Sequence, residues 1–256
     1  MLGAIIGDIV GSRFEFNNHL STDFELFTND CAITDDTICT VAVADAILKS
    51  ISFETSLLHW CRKYPNPKGA YGGSFGRWIH SPEPKPYNSF GNGSAMRVSP
   101  CAWLSNDRET VLNYARSSAE CTHDHPEGIK GAECVADCIF HARFGNKNHE
   151  IKELVTKKYG YNIDMTCDQI RKTNKFNETC QITVPQAIIC FLESNDFESA
   201  IRLAVSIGGD SDTIAAITGS IAEAFYGVPE SIKSTALGYL PNDIINVLSN
   251  FNEQVK

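Results

Sequence analysis

The sequence predicts an all-α protein, a single compact multi-helix domain over residues 1–256. Apolar residues recur at i, i+3 and i+4 in one segment after another, the pattern of amphipathic helices. Strand signals are poor, with Gln181 to Val184 the one short β-branched run. Two segments, Ala42 to Ile47 and Ile214 to Ala224, carry small or apolar residues around most of their circumference, which marks helices covered on all sides.

The opening Met1 to Asp8 has no basic n-region and soon reaches an acid, so it reads as the start of the fold and not as a signal peptide. Gly7, Gly11 and their neighbours suit a loop leading to Glu15. Ile38 to Leu48 has helical spacing, with Thr34 or Asp35 placed to cap it. Phe53 to Tyr64 predicts a short helix stopped by Pro65. Lys63 to Pro100 holds six of the ten prolines and six glycines and reads as a long irregular segment. Its aromatics, Tyr71, Phe75, Trp78, Tyr87 and Phe90, argue against disorder. Arg108 to Ala119 and Pro126 to Phe144 predict two more helices, with Pro126 suited to a first turn and Gly145 to an end. His149 to Tyr159, Asp168 to Thr173, Pro185 to Leu192, Phe197 to Ile207, Ile214 to Tyr226, Pro229 to Leu237 and Asn242 to Phe251 complete the set.

Composition narrows the function classes. The chain is 43% hydrophobic and 21% charged, as an ordinary globular protein is, and no apolar run approaches the roughly 18 residues that span a bilayer. A formal net charge of −9, with no Lys/Arg cluster, disfavours nucleic acid and anionic membrane as partners. The ten cysteines are scattered and form no C-x-x-C pair, which fits free buried thiols in a reducing cytosol. The expectation is a cytoplasmic monomer. Cys134, Cys138 and His141, or Cys121, His123 and His125, could hold zinc; the plainer reading makes Cys134 and Cys138 small core residues at i, i+4.

Two acid clusters stand at helix mouths. Gly208-Gly209-Asp210-Ser211-Asp212-Thr213 precedes one central helix, and Thr34-Asp35-Asp36-Thr37 precedes the other. Hard oxygen donors of this kind suit Mg²⁺, Mn²⁺ or Ca²⁺, and two clusters far apart in sequence suggest one shared site. N-capping would account for Asp35 and Asp212 but leaves Asp36 and Asp210, each beside a like charge. Gly91-Asn92-Gly93-Ser94-Ala95-Met96-Arg97 closes the irregular segment; it suits either a tight turn or an anion cradle of backbone N–H groups, with Ser94 and Arg97 as further donors.

These blocks occur in a particular order: Gly7-Asp8 with Gly11 and Glu15; Thr34 to Thr37; Gly91 to Arg97; Thr122-His123-x-His125-Pro126 with Gly131-Ala132; Gly208 to Thr213. The set resembles the ADP-ribosylglycohydrolases, the dinitrogenase-reductase-activating glycohydrolase group, from about residue 1 to about 240. The resemblance implies an all-helical domain with a binuclear Mg²⁺ site, Mn²⁺ in some members. It implies Thr34, Asp35, Asp36, Asp210, Asp212 and Thr213 as ligands, with Glu15 close to the metals. Catalysis would rest on Glu15, Asp36 and Asp212. Asn92, Gly93, Ser94, Met96, Arg97 and His125 would contact substrate, an ADP-ribosylated protein or a small ADP-ribosyl compound. Residues 63–106 contain no Asp, where some members of the family carry one, and Glu83 is the only acid there. Two other classes share these residues: a binding protein that holds ADP-ribose without turnover, and a structural relative like some lens crystallins. The complete acid set favours catalysis.

Overall fold

The computed structural model describes residues 1–255 and folds them into fourteen α-helices, with no β-strand among the described residues. These are α1 (Leu2–Gly11), α2 (Asp35–Lys49), α3 (Phe53–Lys63), α4 (Gly73–His80), α5 (Gly93–Met96), α6 (Arg108–Glu120), α7 (Pro126–Arg143), α8 (Asn148–Lys157), α9 (Cys167–Thr173), α10 (Cys180–Glu193), α11 (Phe197–Ser206), α12 (Ser211–Tyr226), α13 (Glu230–Leu237) and α14 (Asn242–Gln254). One core, made of side chains from all quarters of the chain, supports a single all-α domain. No helix is long and apolar enough to cross a membrane.

The centre is α12, buried from Ser211 to Ala222, with α1 laid along it and buried over its whole length. Gly3, Gly7 and Gly11 form the contact stripe. A Cβ at Gly7 would lie 2.0 Å from the Ala215 carbonyl oxygen, one at Gly3 2.1 Å from that of Gly219, and one at Gly11 2.5 Å from Asp212 Cα. The loop expected at Gly7 to Gly11 is therefore helix. Three glycines each weaken a helix by about 1 kcal/mol, but spaced four apart they let two backbones touch and bury Ile5, Ile6, Ile9 and Val10. Glu223 of α12 accepts from Leu2 N and Gly3 N, which closes the first turn of α1.

α2, the second central helix, is buried from Asp36 to Ala46 and begins at Thr34, whose hydroxyl accepts from Asp36 N. The long segment after α3 is less irregular than expected. It contains α4, which buries Phe75, Trp78 and Ile79, and the single turn of α5. Gln181 to Val184 is not a strand but the first turns of α10. Cys180, Val184, Ala187, Ile188 and Phe191 give it helical period, and Pro185 lies inside it instead of starting it. The missing N–H of Pro185 leaves the Gln181 carbonyl without its usual donor.

The ten cysteines are free thiols, nine of them buried. Neither Cys134, Cys138 and His141 nor Cys121, His123 and His125 gathers as a metal-binding group among the described residues. Cys134 and Cys138 pack in the core face of α7, and the acid between them does other work. Asp137 has no exposed surface and accepts from Arg108 at 2.7 and 2.6 Å, Lys158 at 2.8 Å and Tyr159 at 2.7 Å, tying α6 and the end of α8 to α7. Burial pushes the Asp137 carboxyl up, but the bonds from Arg108, Lys158 and Tyr159 outweigh it and hold it below its ordinary value.

Two outcomes follow. Gly7→Val should lower stability by about 3 kcal/mol or more, because the atom in the way is backbone, a fall in Tm of roughly 6–12 °C for a chain of this size; a melting curve within ~2 °C of wild type would contradict the packing. Asp137→Asn should cost about 2–3 kcal/mol at pH 7, from a lost ion pair and a strained amide. A depressed folded pKa stabilises above the unfolded value and the benefit fades as pH falls through the folded one. The gap between wild type and Asp137→Asn in urea melts should therefore shrink below about pH 4.

Candidate active site

The first link in the site is Asp8 on α1, which has no exposed surface. Its carboxylate accepts from Thr34 N at 3.0 Å, Thr34 Oγ1 at 2.7 Å and Thr37 N at 3.1 Å, and from Thr37 Oγ1. An acid with four donors at a helix N-terminus satisfies orphan N–H groups and opposes the positive end of the helix dipole. Thr34 is thereby committed. Its hydroxyl donates to Asp8 and caps α2, and it does not line the cleft where a ligand would sit.

That cleft, about 480 Å³, is lined by Glu15, Asp35, Asp36, Asp210, Asp212 and Thr213 on one side. The two helix mouths meet there, with Thr213 Oγ1 donating to Asp36 Oδ1 at 3.3 Å. Glu15, Asp210 and Asp212 each offer an oxygen within 4.8 Å of the others. Gly208 and Gly209, with φ of +68° and +83°, turn the chain so that Asp210 precedes α12 while Asp212 lies in its first turn. Asn92 Nδ2 donates to Asp210 Oδ2 at 2.7 Å.

Like charges this close disturb one another. Burial, then Asp212, pushes Asp35 and Asp36 well above the carboxylate range, and burial, then Asp210, does the same to Asp212. Burial lifts Asp210 to about 6, and burial with Asp212 beside it lifts Glu15 to about 8. Asp36 Oδ2 and Asp212 Oδ1 are buried without a hydrogen-bond partner. Unpaired buried oxygens among crowded acids are the donor set a hard divalent cation takes.

The opposite wall comes from the segment the sequence read as a possible cradle. Gly91, Asn92, Gly93, Met96 and Arg97 line it, with Tyr71, Phe75 and Tyr87. Arg97 is 1% exposed, and among the described residues no carboxylate pairs with it. It donates to Ser118 O and Thr122 Oγ1, and its Nε has no partner. Ser94 points away from the cleft and donates to Gly128 O at 2.8 Å, and the N–H groups of Gly91 and Asn92 are spent as well, on Ser89 Oγ at 3.1 Å and Glu178 O at 2.7 Å. His125 also lies outside the cleft, where Nδ1 accepts from Glu127 N and caps α7. His123 stands inside instead. Its Nδ1 meets Thr122 Oγ1 at 2.7 Å, and burial, then Arg97, drives its pKa well below the ordinary value, so the ring is neutral. Phe16 and Phe176 meet at the rim, their rings tilted by 30° with centroids 5.9 Å apart. Nothing in their local pattern marks them, since each is one exposed aromatic in a polar loop.

The sequence profile of the ADP-ribosylglycohydrolase family matches residues 1–253. The human protein "ADP-ribosylhydrolase ARH3" is 26% identical over 326 aligned positions, covering 96% of this chain and 90% of that protein. The "ADP-ribosylarginine hydrolase Tri1" of Pseudomonas putida (strain GB-1) is 24% identical, over 92% of this chain and 73% of its own length. A solved structure described as "ADP-ribosylglycohydrolase-related protein complex" superposes with a TM-score of 0.74 at 21% identity, covering 100% of this chain and 96% of that one, and shares its fold. The chain belongs to the ADP-ribosylglycohydrolase family.

The crowded acids yield a test that needs no substrate. In EDTA, Asp36→Asn should melt at or above the wild-type temperature, because it removes one of several like charges. With Mg²⁺ or Mn²⁺ at about 100 times its Kd, wild type should gain roughly 2.7 kcal/mol, and the variant little. Equal cation-induced shifts in both proteins would remove Asp36 from the cation's surroundings.

Proposed function

We propose that this chain hydrolyses the bond between the anomeric carbon of an ADP-ribose unit and its acceptor, releasing ADP-ribose, with two Mg²⁺ or Mn²⁺ ions at the acid cluster. One observation carries the reading: a single cleft brings together crowded carboxylates, two of which keep a buried oxygen without a partner, and a buried arginine that pairs with no carboxylate among the described residues. Family membership supports the reaction class.

Each end suits one part of the substrate. Arg97 gives a fixed positive charge beside the Gly91–Gly93 loop, whose glycines leave room for a diphosphate to come close to the backbone and the guanidinium. Neutral His123 can hydrogen-bond that region without adding charge. Asp35, Asp36, Asp210, Asp212 and Thr213 would hold the cations, and Asn92 orients Asp210. When bound, the cations offset the carboxylate charge and act as Lewis acids toward the ribose hydroxyls and the attacking water. Thr34 supports this set from below through its cap on α2.

Glu15 is the first candidate for moving a proton. It is half-buried at the cleft mouth and packs against Gly69, where a Cβ would lie 2.6 Å from Glu15 Oε2. In the reaction, the water oxygen bonds to the anomeric carbon as the acceptor leaves with the bonding pair. Glu15 takes the proton from the water and returns one to the acceptor. The transition state carries oxocarbenium character, which nearby carboxylates stabilise.

The deciding measurement is ADP-ribose release from arginine- and serine-linked substrates, in Mg²⁺ and in EDTA. Turnover that disappears in EDTA is expected. Tight ADP-ribose binding without release would make the chain a reader instead. Glu15→Gln should lower kcat about 10²–10⁴-fold, as loss of a general acid–base group does, while cation affinity falls less. Near-normal turnover would remove Glu15 from the mechanism; kcat and affinity lost together would make it a ligand only.

A further inference from the structure

The turn that delivers Asp210 and Asp212 is gripped by two carboxamides from different parts of the chain. Asn18, three residues after Glu15, takes both peptide groups of Gly209: its Oδ1 accepts from Gly209 N at 2.9 Å and its Nδ2 donates to Gly209 O at 2.9 Å. The same Nδ2 reaches Ser211 Oγ at 3.3 Å, Phe14 O at 2.8 Å and Glu15 O at 3.2 Å. On the other side, Asn174, the residue after α9, donates to Ile207 O at 3.1 Å and Gly208 O at 3.0 Å. Its own Oδ1 accepts from Gln186 Nε2 of α10 at 2.8 Å. Space is tight as well: a Cβ at Gly209 would lie 2.7 Å from Asn174 Nδ2, and one at Gly208 3.1 Å from Asn18 Oδ1.

We propose that Asn18 and Asn174 are positioning residues that set the geometry of the acid cluster, with Asn18 locking the Glu15 segment to the Asp210–Asp212 turn. Two glycines at positive φ have little intrinsic stiffness, so this turn needs external bonds to aim two carboxylates at one point. Asn18 supplies them in a form that also fixes Glu15. The residues whose oxygens converge within 4.8 Å, Glu15, Asp210 and Asp212, are those joined through its carboxamide. Gln186 orients Asn174 as an outer partner orients a ligand, an arrangement whose loss elsewhere costs about 10–100-fold in metal affinity.

The inference rests on the cation site proposed above, and its test separates the two. Mn²⁺ binding is measured by calorimetry on wild type, Asn18→Ala, Asn174→Ala and, as a stability control, Asp137→Asn, with melting temperatures alongside. Asn18→Ala and Asn174→Ala should weaken Mn²⁺ binding about 10-fold or more and lower kcat with little change in KM. Asp137→Asn should lose a similar melting temperature with affinity intact. If an alanine variant does not fold, Gln186→Leu, which frees the Asn174 carboxamide without touching the turn, should weaken Mn²⁺ binding by a smaller factor of about 3–10. Affinities within about twofold of wild type, or an equal loss in Asp137→Asn, would overturn the proposal. A wild-type chain that binds Mn²⁺ but releases no ADP-ribose would defeat the proposed reaction and leave this comparison standing. A wild-type chain that binds no Mn²⁺ would overturn both.

Discussion

The site depends on the carboxylate of Asp8. It is fully buried, receives four hydrogen bonds, and thereby fixes the N-terminus of α2 to the side of α1. The glycine stripe fixes α1 to α12 with backbones in contact. Two rigid junctions in series leave the mouths of α2 and α12 no choice of relative position. Thr213 therefore reaches Asp36, though 177 residues separate them. A buried carboxyl that takes four hydrogen bonds, three on Oδ2 and one on Oδ1, is high-stakes architecture, because removing a donor leaves a buried oxygen short of partners.

The same construction explains why the cluster is stable enough to exist. Several carboxylates in one cleft repel, and burial disfavours their charged forms. The rest of the domain must hold them there, and a core drawing on every long helix does so. Such frustration belongs at a site where a ligand relieves it. Elsewhere acids are answered: Asp137 has three partners and Asp45 has Trp60 and Lys49. Glu127 Oε2, without a hydrogen bond, faces Lys130 at 2.6 Å, whereas in the cleft the buried oxygens Asp36 Oδ2 and Asp212 Oδ1 have neither hydrogen bond nor cation among the described residues.

Much of this was legible in the sequence. The all-α class, most helix positions and the two central helices followed from period and from small-residue composition. The acids at both helix mouths were visible as paired charges that N-capping leaves half explained. What was not legible depends on packing. Gly7 and Gly11 read as loop residues, whereas with Gly3 their spacing of four is that of a helix face pressed on another backbone. His123 and His125 are two residues apart, and only the entry angle of α7 decides which ring enters the cleft. Ser94 sits in the expected loop, but its hydroxyl is spent on Gly128, and the Gly91 and Asn92 N–H groups are spent on Ser89 and Glu178. Asn18 and Asn174 carry no local signature of this role, because their partners in the Ile207–Gly209 turn lie 191 and 33 to 34 residues away.

Net charge is a poor guide to what this cleft holds. At −9 the chain should repel a diphosphate, and its acid cluster should repel it further. Under the proposed function two local features would offset that repulsion. Divalent cations would neutralise the carboxylates, and long-range repulsion from the remaining surface acids is screened within roughly 8–10 Å at physiological salt. Arg97 acts at contact distance in a buried setting where screening is weak. Among the described residues its partners are neutral, the Ser118 carbonyl, the Thr122 hydroxyl and the Cys121 sulfur, and such a group favours an anion far more than a surface arginine does. A protein can thus be acidic overall and still bind an anion, provided the cation count at one end of the cleft and the buried arginine at the other set the local potential. The division of labour follows from the fold, since α2 and α12 deliver acids to the cleft and the Gly91 to Arg97 turn delivers small residues and a guanidinium.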